Sequence, residues 1–368
     1  MSGKIKSLQI LRAMAFLGIL TYHCEATNLG AWGVSVFLIM SGFLMVYNHI
    51  HSAIPCGMQN QASYARKKLR KLYPLHILML IMILILLRNT LFHNLSIKSS
   101  LTTGLKIVSN VFLLQSWIPN SKYYYAMNGV SWYLSVMAFI YFVFPIILKN
   151  IQQKGTPFVI KLFTGTLALQ VVISVLTCLV QLPDYALLKK IDDLHKYVTY
   201  ICPAFRLGDF CLGCCLGYAF CHSSKSMNTV PATILELAVL LYTVLFGLKI
   251  ITVNANIFGY DLMYVPTSIL LVWLFAAGNG FITKTLASCK PLLFLGNLSG
   301  YTFIMHQVII RYVDKITGKL SLDISYNPWI KALIILALSV LAATAYRKAE
   351  SIVFSIKGRR TGKQEMPG

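Results

Sequence analysis

Residues 6–46 read KSLQILRAMAFLGILTYHCEATNLGAWGVSVFLIMSGFLMV. Two apolar runs follow one another here, separated by a short polar stretch around Glu25 and Asn28. An α-helix rises about 1.5 Å per residue, so about 20 apolar residues cross a hydrocarbon core of about 30 Å. Each run is of that order, which predicts two consecutive transmembrane helices. A secretory leader would show a small-residue cleavage site after the first run. None is evident, and the second run comes at once.

Runs of the same kind recur along the chain. They predict spans at about 7–27, 29–48, 70–89, 128–149, 157–181, 200–221, 229–251, 262–283, 291–312 and 327–346. The composition agrees: 57% of the 368 residues are hydrophobic and 12% charged, about half the charge of a soluble domain. The expected fold is all-α, a polytopic integral membrane bundle of about ten transmembrane helices. Residues 1–346 would form it, and 347–368 a disordered basic cytoplasmic tail. Residues 101–118 are apolar with polar interruptions, and they read as an interfacial helix, a re-entrant helix or an eleventh span.

The net charge of +22 would suggest nucleic acid on a soluble protein. Here the clusters Lys4/Lys6, Arg66 to Lys71, Lys149/Lys154, Lys284/Lys290 and Arg347 to Lys363 all fall on one side if the N-terminus is cytoplasmic. Together they hold about half of the Lys and Arg residues, as the positive-inside rule requires. The expectation is a multi-pass protein of the cell membrane, with both termini cytoplasmic and no nucleic-acid partner. An eleventh span would put Arg66 to Lys71 and the C-terminal end on opposite sides. The run Cys211-Leu-Gly-Cys214-Cys215 lies within an apolar span without a paired Cys/His set, so small buried side chains are expected and no metal.

Charges inside a span are costly and mark candidate sites. Arg12 and His23 are eleven residues apart, which places them within about 20° on one face of a helix and about 16 Å apart along its axis. Glu25 lies about 200° from His23 if the helix continues, and becomes a possible partner if it ends there. Depth counting along the other spans brings Trp132, Ser135, Arg206, Asp209 and His306 to the level of His23. Arg206 and Asp209, three apart, can pair either as a structural ion pair or as part of a site. Glu236 has no assigned role. Toward the other end, Arg66-Lys67-Lys68-Leu69-Arg70-Lys71 precedes Leu72-Tyr73-Pro74. It reads as a positive-inside anchor or as a phosphate cradle.

These segments, taken in order, resemble the membrane-bound acyltransferase-3 family. The resemblance rests on Arg12 to His23 within LRAMAFLGILTYH, and on the aromatic run ending Ser41-Gly42-Phe43. It continues through Lys68-x-x-Lys71 before Tyr73-Pro74, and Ser131-Trp132-Tyr133-Leu134-Ser135-Val136. Phe205-Arg206-Leu207-Gly208-Asp209-Phe210 and Leu295 through Tyr301 to His306 complete it. The chain departs from the pattern where Lys68 and Lys71 replace arginines, and where Met137 replaces a glutamate found in many members.

The resemblance implies transfer of an acyl group, most often acetyl, from cytoplasmic acetyl-CoA or another acyl-CoA to a hydroxyl outside. The acceptor would be a cell-surface glycan or a lipid-linked molecule. It implies a candidate catalytic set of His23, Glu25, Ser135 and His306, with His23 as base because imidazole titrates near neutrality. Arg12, Arg66, Lys68, Arg70 and Lys71 would hold the donor phosphates, and Trp132, Arg206 and Asp209 complete the outer site. A covalent acyl-enzyme on Ser or His is the alternative route, although no Gly-x-Ser-x-Gly elbow is present. Two rivals stay open: a transporter or flippase using His, Arg and Asp as a relay, and a membrane sensor or scaffold.

Overall fold

A computed structural model describes residues 5–92, 97–179, 193–223, 227–248, 250, 262–321 and 327–361. It is all-helical across these residues. The helices are α1 (Lys6–His23), α2 (Gly30–His49), α3 (Met58–Leu69), α4 (Tyr73–Phe92) and α5 (Ile97–Val111). A short α6 (Ser121–Tyr124) leads into α7 (Trp132–Leu179), and α8 (Leu194–Lys196) into α9 (Pro203–His222). The chain ends with α10 (Thr229–Gly247), α11 (Val265–Ala277), α12 (Phe281–Leu286), α13 (Lys290–Lys319) and α14 (Pro328–Thr361).

Apolar side chains lie outside the bundle as well as inside it. Ile160, Leu169 and Leu176 of α7, Leu237 and Leu241 of α10, and Leu333 and Leu341 of α14 are all exposed. A soluble protein would not leave such a belt bare; lipid covers it. Among the described residues, six helices are long and apolar enough to cross a membrane, or seven if the bent pair α3–α4 is one span. The expected number of about ten is approached by three further segments. α7 is two helices, because Gly155 breaks it at φ 58°, ψ −147° with Pro157 just beyond. α1 is interrupted by polar side chains, and α11 is short, at 13 residues.

The centre is α1, α2 and α9, flanked by α7 and α13. α2 and α9 touch backbone to backbone. A Cβ on Gly213 would collide with the Ile39 carbonyl, so only glycine permits this approach. On the other side α1 runs along α13.

Several boundaries differ from the sequence expectation. The expected 262–283 span stops at Ala277, where Gly278 adopts φ 66° as a left-handed cap. The chain then starts α12, whose first amide groups donate to Glu236: Ile282 N at 3.0 Å and Thr283 N at 3.4 Å. A carboxylate at a helix N-terminus satisfies orphan donors and meets the positive end of the dipole. Glu236, unassigned from sequence, is therefore a cap that ties α10 to α12. α14 continues past 346 to Thr361, which corrects the disordered tail expected from 347 onward; residues 362–368, including Lys363, lie outside the described residues. α5 is an amphipathic helix that doubles back along α4: His76 Nε2 lies 2.9 Å from the Asn110 carbonyl oxygen, and Tyr73 Oη donates to Val111 at 2.8 Å. At 15 residues, about 22 Å, it is too short for an eleventh span.

Candidate functional site

α1 carries Arg12 near one end and His23 at the other, and each opens onto its own cavity. The His23 cavity is about 790 Å³ and is walled by Tyr22, Trp132, Tyr200, Gln307 and Arg311. The Arg12 cavity is narrower, about 190 Å³, with Lys68, Lys71, Tyr141 and Tyr301 on its walls. Phe303 lines both. Its ring lies 5.3 Å from Tyr133 and 6.1 Å from Phe37, and these also line the Arg12 cavity. This aromatic collar divides the two chambers. Phe37 and Phe303 belong to two of the segments that carry the family resemblance, but nothing in those segments announced a collar.

His23 ends α1 and faces the larger cavity. Its ring lies 5.2 Å from that of His306, which is fully buried on α13. The His306 Nδ1–H donates to the Phe303 carbonyl at 2.7 Å, which leaves Nε2 as the acceptor nitrogen. That Nε2 has no hydrogen-bond partner among the described residues. The two histidines expected at one level are thus brought together, one open to the cavity and one behind it. Trp132 also reaches this cavity, its ring 4.9 Å from Tyr200.

Other expected residues lie elsewhere. Glu25 sits beyond the end of α1 at φ 65°, exposed, and does not line the cavity. The helix ends where a pairing required it to end, but the turn points the carboxylate away. Ser135 is buried, and its hydroxyl donates to the Leu113 carbonyl at 2.5 Å. Leu113 has φ 55°, so the bond holds the turn that follows α5. Arg206 and Asp209 form a fully buried ion pair at 2.9 Å, and Gln170 donates to Asp209 at 2.9 Å. The pair backs the cavity through Tyr200, whose ring lies under the Arg206 guanidinium at 5.6 Å.

The basic cluster divides by helix face. Lys68 and Lys71 reach the Arg12 cavity, Lys71 lying over the Tyr301 ring at 5.2 Å. Arg66 and Arg70 are exposed and do not line it. The two positions where the family pattern has arginines are therefore the ones that line this cavity, as lysines. Sequence reasoning missed Gln307 and Arg311. The available signal was their place directly after His306, four residues apart and so on one face of α13.

A family model described as an acyltransferase domain matches residues 5–348. Among curated proteins, the O-acetyltransferase OatA of Staphylococcus aureus (strain NCTC 8325 / PS 47) is 22% identical over 372 residues, covering 94% of this chain and 57% of the relative. The acyltransferase MdmB of Streptomyces mycarofaciens is 27% identical over 127 residues, 34% of this chain and 30% of that protein. The chain spans little more than half the length of the OatA proteins it matches. No solved structure matches.

Proposed function

This chain belongs to the acyltransferase family whose model covers residues 5–348, and from that premise we propose that it moves an acyl group, most simply acetyl, through the membrane. The donor is a cytoplasmic acyl-CoA, and the acceptor is a hydroxyl of an extracytoplasmic glycan or lipid-linked molecule. One observation carries the reading: a single helix presents a cation to a narrow cavity and an imidazole to a wide one, with a collar between them.

Residues 1–346 supply the reaction. Arg12, Lys68 and Lys71 bind the donor phosphates at the narrow cavity, which suits a linear arm. The pantetheine chain passes between Phe37, Tyr133 and Phe303. The rise from Arg12 to His23, about 16 Å, is of the order of that arm. His23 takes the proton from the acceptor hydroxyl as its oxygen attacks the thioester carbonyl. The tetrahedral species collapses with loss of the CoA thiolate, which takes up the proton. His306 is a positioning residue: its Nε2, unpaired among the described residues, would accept the His23 N–H when the substrates are bound and fix the tautomer that leaves the other nitrogen free as base.

The test is transfer of radiolabelled acetyl from acetyl-CoA across sealed vesicles holding the purified protein. His23→Ala lowers turnover by about 10²–10⁴-fold, the usual worth of a general base, with unchanged insertion. Near-wild-type turnover in that variant rejects the assignment. Transport of an unmodified solute without acetyl transfer would favour the carrier reading instead.

A further inference from the structure

The proposed reading leaves the acceptor open, and the wall of the His23 cavity carries more information about it. Arg311 lines this cavity, only partly exposed. It has no ion-pair partner among the described residues. Asp314, one turn further along α13, is taken by Lys331 at 2.8 Å. The carboxylate that does line the cavity, Asp193, uses Oδ1 to accept the Lys196 amide at 2.8 Å and so caps α8. Among the described residues no carboxylate is paired with the guanidinium, which stands at the edge of a chamber walled by Tyr22, Trp132 and Tyr200. A cation so placed without a counter-charge is costly unless a ligand supplies one.

Gln307 stands one turn below Arg311. Four residues apart, the two side chains lie about 40° from each other in azimuth and about 6 Å apart along the axis. The Gln307 Oε1 is buried and has no hydrogen-bond partner among the described residues. Its amide lies against Gly129, where a Cβ would meet it at 2.7 Å, so the side chain is held in place. His306, which backs His23, is the residue before it. Gln307 and Arg311 thus follow one another along the α13 wall of the cavity onto which His23 opens.

Resting on the acyl-transfer reading, we infer that the acceptor of this protein carries an anionic group, a carboxylate or a phosphate, and that Arg311 binds it. The planar fork of arginine matches either group with two parallel hydrogen bonds. The anionic group then sits on the α13 wall of the cavity onto which His23 opens. The aromatic walls provide faces for a sugar ring.

Binding is measured by ligand-observed NMR on the whole chain in phosphatidylcholine nanodiscs, with no donor present. The probes are methyl glucuronide and glucose 1-phosphate, against neutral methyl glucoside. Both anionic probes, or one of them, bind the wild type at least tenfold more tightly than the glucoside. Arg311→Gln removes that preference, and Arg311→Lys restores only part of it. Equal affinities in the wild type, no detectable anionic binding, or a preference that survives Arg311→Gln overturns the inference. Loss of probe binding in phosphatidylglycerol nanodiscs would make the guanidinium a lipid anchor, and also overturns it. Because no donor is used, anion selectivity without acetyl transfer would sink the transfer reading and leave the binding site standing. Transfer without anion selectivity would sink only this inference.

Discussion

Arg12 and His23 share one stripe of α1, but they line different cavities. Arg12 stands in the narrow cavity with Lys68 and Lys71, too far from His23 to touch the same reacting carbonyl. Arg12→Ala is expected to weaken acyl-CoA binding, with acceptor preference unchanged. Arg12→Lys is expected to rescue only part of it, since an ammonium lacks the planar fork. Calorimetry with acetyl-CoA in detergent reads this directly; equal affinity in wild type and both variants removes the donor role. Ser135 is a contrasting case. As a nucleophile its loss would end transfer, but its hydroxyl is committed to the strained Leu113 turn. Ser135→Ala should retain turnover per folded molecule and lose about 1 kcal/mol of stability, the usual worth of one buried hydrogen bond. Thermal unfolding and acetyl transfer on one sample separate the two roles, and an inactive but stable variant would restore the nucleophile. Depth was legible for all these residues, because helix rise follows from counting. The direction of the Ser135 and Glu25 side chains was not, because it depends on a turn and on a neighbouring carbonyl.

Among elements, the α2–α9 contact decides whether the site exists. α2 brings Phe37 to the collar, and the stretch ahead of α9 brings Tyr200 to the larger cavity. Gly213 lets these helices meet without side chains between them. Gly213→Ala should cost about 1–3 kcal/mol, the usual penalty of overpacking, because its Cβ meets the Ile39 backbone, which cannot move aside. Gly165→Ala is the control: nothing lies within 4 Å of its Cβ, and the position is exposed. The measurement is thermal unfolding in detergent, and a Gly213→Ala melt matching that of Gly165→Ala would refute the close approach. Element existence was readable from hydropathy along most of the chain. The split of α11 from α12 was not, because it rests on Glu236 reaching from α10 to cap a helix 46 residues away. The break in α7 had a local cue, in Gly155 and Pro157 between two apolar runs.

At the scale of the molecule, the open question is which way the bundle faces. The positive-inside rule, applied to the basic clusters, predicts that the α3 end is cytoplasmic and that the His23 cavity opens outward. Lys67 and Lys122 are both exposed. In a background lacking the nine native cysteines, Lys122→Cys should react with an impermeant maleimide on intact cells, and Lys67→Cys only after permeabilisation. Labelling of Lys67→Cys in intact cells would invert the protein, and donor and acceptor would exchange cavities.

Membrane residence, the approximate number of helices, and the pairing of a cation and an imidazole on one stripe of α1 were determined by the sequence alone. These are one-dimensional properties: apolar length sets a span, and rise and twist set where its residues lie. The tertiary structure decided which residues face a cavity. It put Lys68 and Lys71 inward and Arg66 and Arg70 outward, set Arg206 and Asp209 behind Tyr200, and closed Phe37, Tyr133 and Phe303 into a collar. In a soluble helix the polar face would have revealed these orientations. In lipid both faces are apolar, so the 3.6-residue signal fades and only packing between helices selects the face.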